Sequence, residues 1–538
     1  MKVDGVICEN RRNRVLLINP HPSMHILDGQ RETVLRPPEL PMGIAALAAY
    51  LEAERIPVQC LDLAVCNDPS KALVKKLQAY QPRYIGITAL STAMPAVEAA
   101  ADLCRDEVGD DALLIVGGEH ASFLKGELLR DHPVFDYLVY GEGEQTLAEL
   151  VHRLDGGEHV DDVQGLVYRQ EKEIFVNDPR PLIEDIDSLP FPARHLLPVE
   201  RYVPLQHRGD FMRLPSAGIV VSRGCAQELT LSSNSVWGGT SRVHSARRIL
   251  EEMKRGMKKY GIREFRFLDE NLTAPDGPVS ELCDLIIRKG LDVTWSCYSR
   301  VTGIKKHILA KMKEAGCFQI TYGIGFGTEK ALKTANLNTT LEQAMKAVDW
   351  TKEVGIECGC DFMLGLPGES WSDCETTVKL ALELNPDLVR FEVFEAVPGS
   401  DMYDKLTASE EGICAYKGEM LGWLDKLASR ACWKFYLRIA YLVRMLCRLN
   451  RNPKRELRKN WAVFKWLTGS FLTGLRSCIR VPGSWKRADR AEETASPGEP
   501  QAIEPSPDQE ELQRQRDIEK YYAASREEKS EVIEVDRR

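Results

Sequence analysis

The chain has 538 residues, 43 % of them hydrophobic and 28 % charged, with a net charge of −9. At roughly 100–200 residues per domain this allows about three domains with ample core, and the acidic balance argues against a general nucleic-acid binder. The 15 cysteines are scattered rather than framed, Met1 to Arg14 is too polar for a signal peptide, and no run of about 18 uncharged apolar residues occurs. The expectation is a cytoplasmic chain with free thiols and no membrane span.

Val15 to Asn19 is a short apolar run read as a buried parallel strand. Ile44 to Leu51 follows with helical spacing. Val58–Leu63, Tyr84–Thr88, Leu113–Val116 and Tyr137–Val139 repeat the strand signal, and helical stretches such as Ala96–Val108 separate them. Strands alternating with helices predict a doubly wound, flavodoxin- or Rossmann-like parallel sheet over residues 13–170. Ligands bind such sheets at the loops beyond the strands' C-terminal ends. Here those loops hold Ser91 and Thr92, then Gly117, Gly118, Glu119 and His120, then Gly141, Glu142, Gly143 and Glu144. Two glycine loops after neighbouring strands point to a ligand crevice rather than to tight turns alone. His120 is read as a hydrogen-bonding loop residue, since no second metal ligand is near it in sequence.

Residues 171–210 form the predicted linker, with four prolines from Pro181 to Pro198 suggesting extended chain. A second alternating series fills residues 211–405. Its strands are Gly218–Ser222, Phe265–Leu268, Val293–Cys297, Gln319–Gly323, Glu357–Met363 and Leu388–Phe394. Ser245–Tyr260, Lys305–Ala315 and Leu341–Val354 are among its helices. Six such units predict a partial (β/α)6 barrel with its site at the C-terminal ends of the strands. Cys297, Cys317, Cys358 and Cys360 fall at or near inner strand positions, with Cys358 and Cys360 on one face. Small core hydrophobes is the plain reading of these thiols, and a relocated metal site the alternative.

Residues 406–485 read as a basic helical extension: Lys434 to Arg487 carries 14 Lys and Arg against one acid, Glu456. Residues 433–487 fit packing on the barrel, an anionic membrane surface, or a partner. Residues 486–538 are rich in Glu, Pro, Ser and Gln and are expected to be disordered.

The runs LRPPELPMGIAALAAYLE, GITALSTAMP, VGGEHAS and YGEGEQTL, then LIEDIDSLPFPARHLLP, IVVSRGC, SVWGGTSRVHSARRILEEM, FRFLDENLT, WSCYSRV, MKEAGC and FMLGLPGES together resemble the cobalamin-binding radical S-adenosylmethionine (SAM) proteins. The resemblance spans roughly residues 13 to 446. It implies a corrinoid over the C-terminal edge of the first sheet. The Asp-x-His-x-x-Gly segment that supplies an axial histidine in other cobalamin proteins is absent, which implies cobalt without a protein imidazole. It also implies SAM as a further cofactor, Asp269, Arg300, Gly365 and Pro367 as retained cofactor-binding elements, and a 4Fe-4S cluster on a Cys-x-x-x-Cys-x-x-Cys loop after the first barrel strand.

That loop is degenerate here. Cys225 is present, but Leu229 and Ser232 stand where the second and third cysteines belong, and Leu231 replaces the usual aromatic. Such a cluster needs three thiolates; leucine cannot ligate iron, and serine forms its alkoxide with difficulty. The family's Gly-Ile-Glu-Ser-Gly is Gly323-Ile324-Gly325-Phe326-Gly327, and its Asn-Lys-Gly is Asn336-Leu337-Asn338. The expectation is a cobalamin-binding protein with lost or altered radical chemistry, acting as scaffold, sensor or partner of an intact radical SAM protein. Two alternatives stand beside it: an active methyltransferase or cyclase on an apolar substrate, and cluster-independent methyl transfer.

Overall fold

The computed structural model describes residues 13–20, 39–202 and 213–407, apart from 214, 225–239, 270, 274–277, 395, 397 and 398. The chain divides into two units, residues 1–448 and 449–538, and every described residue belongs to the first. Cys225, Leu229 and Ser232, nearly all of the basic extension and the whole tail lie outside the described residues.

The first sheet has seven strands in the order β2-β1-β3-β4-β5-β6-β7. These are β1 (Val15–Asn19), β2 (Val58–Asp62), β3 (Tyr84–Thr88), β4 (Leu113–Gly117), β5 (Tyr137–Val139), β6 (Leu166–Gln170) and β7 (Glu173–Val176). The first five are parallel, as continuous apolar runs covered on both faces demand. Strand order reverses between β1 and β3, the switch point at which such sheets open a crevice.

Two boundaries differ from expectation. β6 and β7 add an antiparallel edge, so the first sheet extends to Val176, past residue 170; their short, partly exposed runs carry little hydrophobic signal. The stretch from Pro181 to Pro198 is not extended tether. It makes short 3-10 turns at Ile186–Ser188 and Arg194–Leu196 and packs on both domains. Ala193 N–H donates to the Ala45 carbonyl at 2.8 Å, and further on Tyr202 Oη donates to Asp62 at 2.9 Å. Arg194 reaches the Gly218 carbonyl at 2.6 Å and lies 2.7 Å from Glu252. The prolines fix the path of an ordered strap.

The second sheet is six-stranded and all parallel, in chain order from β8 (Ser216–Val220) through β11 (Glu264–Leu268), β12 (Thr294–Ser299), β13 (Cys317–Gly325) and β14 (Glu357–Leu364) to β15 (Leu388–Val393). Residues from all six border one cavity, β13 through Gly323 and Gly325, an arrangement compatible with an open barrel. Outside it, helices are set by local signals: Ser245 caps Ala246–Tyr260, and Thr340 with Gln343 forms a capping box for Leu341–Glu353. Between β8 and β11 a short antiparallel pair, β9 (Ser222–Arg223) and β10 (Arg242–Val243), pins both ends of the loop that carries Cys225.

The barrel cysteines are on the outer face of the strands. Asp361 and Met363 border the cavity, so Cys358 and Cys360 point the other way. They are fully buried in the core, among residues such as Ala344, Val348 and Val378 of the covering helices. Cys297 and Cys317 share that core. Burial pushes the Cys283 thiol up to about 12 and drives Cys317 and Cys360 well upward too. They are core hydrophobes, as the plain reading had it, but not at inner positions. No group of three or more His, Cys, Asp or Glu that could hold a metal occurs among the described residues.

Candidate functional site: a cavity between the two sheets

A cavity of about 890 Å³ lies between the C-terminal edges of the two sheets, toward the top of the range for ligand sites. Its first-domain wall is apolar and paved with glycine: Met42, Ile44, Leu47, Ile115 and Val139, with Gly86, Gly117, Gly118, Gly141 and Gly143. A Cβ added at Gly43 or Gly141 would meet nothing within 4 Å, so a side chain there would take up cavity space. Gly118 has φ +104, and a Cβ on it would lie 2.8 Å from the Ala89 carbonyl. Its glycine serves close approach of the neighbouring loop's own backbone.

The barrel wall is polar by contrast. It presents Ser222, Asp269, Tyr298, Arg300, Asp361, Arg390 and Glu392. Asp361 pairs with Arg390; burial nevertheless raises its carboxyl above the ordinary range, because the guanidinium offsets only part of the desolvation. Asp269 accepts from Ser222 Oγ and from Asn271 N–H, both at 2.7 Å, tying the base of the Cys225 loop to β11. Asn271 in turn accepts from Arg300 N–H at 3.3 Å.

Of the residues expected at the site, Gly117, Gly118, Gly141, Glu142, Gly143, Glu144, Asp269 and Arg300 border the cavity. Ser91, Thr92, Glu119, His120, Gly365 and Pro367 do not. Ser91 Oγ and His120 Nδ1 are 2.9 Å apart and join two loops to each other. Burial lowers the His120 pKa. Gly365 and Leu366 donate backbone N–H groups to Glu369, so the Gly-Leu-Pro-Gly turn is closed from within. Phe326 is fully buried in a small core with Leu332, Leu366 and Met402; its ring does not enter the cavity, although Leu337 does.

Glu142 and Glu144 are held by arginines of the other domain. Arg223 reaches Glu142 at 2.9 Å and Glu144 at 2.6 Å, and Arg242 reaches Glu142 at 2.8 Å. The Ile183 N–H donates to Glu142 at 2.7 Å. Burial alone would raise the Glu142 carboxyl; the two guanidiniums and this N–H outweigh it and hold the pKa below 4.5. Because the folded value is the lower one, the unfolded chain binds the proton first. The contribution to stability is present above the unfolded value and is lost as the pH falls through the folded one. As the pH falls through the unfolded value and below it, unfolding midpoints in urea are therefore expected to drop more steeply for the wild type than for Glu142→Gln.

Arg223, Arg242, His244, Asp361, Arg390 and Glu392 were not predicted. His244 borders the cavity and bonds Asp187 through Nδ1 at 2.8 Å. Alternation of Asp361, Met363, Arg390 and Glu392 with core residues was the available signal for the barrel wall. Nothing local links Glu142 to Arg242, 100 residues away.

Among the described residues no helix is long and apolar enough to cross a membrane. The B12 binding domain model matches residues 33–151 and the Radical SAM superfamily model residues 222–381. An uncharacterized methyltransferase of Pyrococcus horikoshii is 28 % identical over 418 residues, covering 75 % of this chain and 89 % of its own. The anaerobic magnesium-protoporphyrin IX monomethyl ester cyclase of Rubrivivax gelatinosus is 29 % identical over 402 residues, 73 % of this chain and 70 % of its own. In fold, the chain matches the radical SAM methyltransferase TsrM of Kitasatospora setae, solved with cobalamin and a 4Fe-4S cluster bound. That match has a TM-score of 0.60 and 18 % identity, covering 74 % of this chain and 75 % of TsrM. It also matches the cobalamin-dependent SAM radical enzyme OxsB, solved with aqua-cobalamin and SAM, at a TM-score of 0.57 and 19 % identity, covering 75 % of this chain and 56 % of OxsB. With its two domains in this order around one shared cavity, the chain belongs to the cobalamin-binding radical SAM family.

Proposed function

We propose that the chain binds a cobalamin against the glycine-paved wall of the cavity and has lost the cluster-based radical step. The carrying observation is the cavity itself: an apolar, side-chain-poor wall at the switch point of a B12-binding domain, facing a polar barrel. Met42, Ile44, Leu47, Ile115 and Val139 would hold the corrin face, and the glycines would let it approach the backbone. A bound corrinoid supplies a cobalt that can carry a methyl group. The chain's own residues enclose the space and exclude water.

The donor set does not fit a 4Fe-4S cluster. Cys225 is one thiolate where three are needed, with Leu229 and Ser232 at the other positions, and no step is assigned through a cluster. On this reading the chain is a corrinoid-carrying scaffold or sensor whose partner is an intact radical SAM protein. An active enzyme is the second reading, favoured by likeness to methyltransferases and cyclases over about three quarters of the chain.

Iron, sulfide and corrinoid analysis of anaerobically purified protein, supplied with all three and compared with Cys225→Ala, tests this. One corrinoid per chain without iron is expected. About four irons per chain, lost in Cys225→Ala, would restore the radical enzyme. Methyl transfer to or from the corrinoid without iron would single out a polar methyl transfer, and absence of both corrinoid and iron would sink the proposal.

A further inference from the structure

We propose that Glu142, Glu144, Arg223 and Arg242 form an interdomain latch that fixes the corrinoid wall against the loop carrying Cys225 and passes the state of one to the other. All four are positioning residues; none is assigned as a cofactor ligand.

The four charges make one connected chain. Glu144 meets Arg223 through one guanidinium nitrogen, and Glu142 meets Arg223 through the other. The second oxygen of Glu142 takes both Arg242 Nη1 and the Ile183 N–H, and Arg242 Nη1 also donates to the Ile183 carbonyl at 2.7 Å. Three segments meet here: the loop after β5, both strands of the β9–β10 pair, and the strap. The charges balance, two against two. The side chains are only 3 % and 6 % exposed for the glutamates and 14 % and 12 % for the arginines. Water therefore screens the pairs little, and each planar fork restricts direction as well as distance.

Placement makes this more than a stabilising contact. Glu142 and Glu144 flank Gly143, which opens the helix Gly143–Gly156 and borders the cavity beside Gly141. Arg223 adjoins Gly224, also on the cavity, and the next residue is Cys225. β9 and β10 pair Arg223 directly with Arg242, so both ends of the Cys225 loop are gripped by Glu142. A ligand that displaces or steadies the Gly141–Gly143 loop must therefore act on the base of the Cys225 loop. For Glu142 to turn to a ligand instead, the buried Arg242 guanidinium would have to give up its carboxylate, which is strongly unfavourable.

Transmission rests on the corrinoid reading above; the latch does not. Hydrogen exchange followed by mass spectrometry on the full chain tests both, with Glu142→Gln, Arg223→Met and the charge-conserving Arg223→Lys. Glu142→Gln is expected to speed exchange about tenfold or more in residues 216–224 and 240–246, in the other domain. Arg223→Met is expected to do the same in residues 140–147, with Arg223→Lys intermediate and residues 84–88 and 357–364 unchanged. Faster exchange confined to the domain that carries the substitution would overturn the latch, and Arg223→Lys decides the matter if the other variants fail to fold. Hydroxocobalamin is then expected to slow residues 216–224 in the wild type but not in the variants, with uptake followed by absorption. Slowing that persists in the variants would overturn transmission. Failure of the wild type to take up hydroxocobalamin would remove both the corrinoid reading and transmission, leaving the reciprocal exchange to decide the latch.

Discussion

Leu229→Cys/Ser232→Cys is expected to take up about four irons per chain on anaerobic reconstitution, where the wild type takes up none. Those two substitutions restore the three thiolates that such a cluster needs, and Cys225 already supplies the first. The surroundings of the loop base remain in place: Arg223 is gripped by two carboxylates, and Ser222 is bonded to Asp269. Iron and sulfide assays with the charge-transfer absorption of the cluster provide the measurement. About four irons in both proteins would mean that ligands other than these two positions govern loading, and the reading of a retired cluster would fail. Iron uptake by neither would place the defect in the barrel rather than in the two side chains.

Arg194→Met is expected to cost about 3–5 kcal/mol of stability, the largest effect of a single surface-distant substitution here. Arg194 and Glu252 are each only 7 % exposed and lie 2.7 Å apart, and Arg194 also donates to the Gly218 carbonyl. Removing the cation strands a buried carboxylate. Arg194→Met/Glu252→Leu should recover much of the loss, because two apolar groups of similar size remove both desolvation penalties together. Urea unfolding supplies the comparison. Glu342→Gln, which removes an exposed helical pair with Lys346, should unfold indistinguishably from wild type. A small effect at Arg194 would mean that the strap is a tether after all.

Much of the fold was legible because buried parallel strands are local signals. Val15–Asn19, Tyr84–Thr88 and Tyr137–Val139 are strands with the predicted bounds, each an apolar run bordered by turn residues. The amphipathic helices between them were equally plain, and the alternation of the two fixed the architecture. β6 and β7 were missed because antiparallel edge strands half exposed to solvent have no such run. Gly117 and Gly141 were legible as site candidates because a doubly wound sheet places ligands at strand C-termini; Asp269 was legible only through the family resemblance.

By itself, the sequence determined the order of the two α/β domains, the six strand–helix units of the second, and the presence of Cys225 with Leu229 and Ser232 four and seven residues on, since covalent order and side-chain chemistry do not depend on folding. Only the tertiary structure decided which way side chains face and what they meet. It turned Cys358 and Cys360 toward the helices, made the proline-rich strap part of the core, and set Glu142 against Arg223 and Arg242 across the domain boundary. Those outcomes depend on how two sheets pack, and pairing between residues 81 and 100 positions apart leaves no periodic trace in the chain.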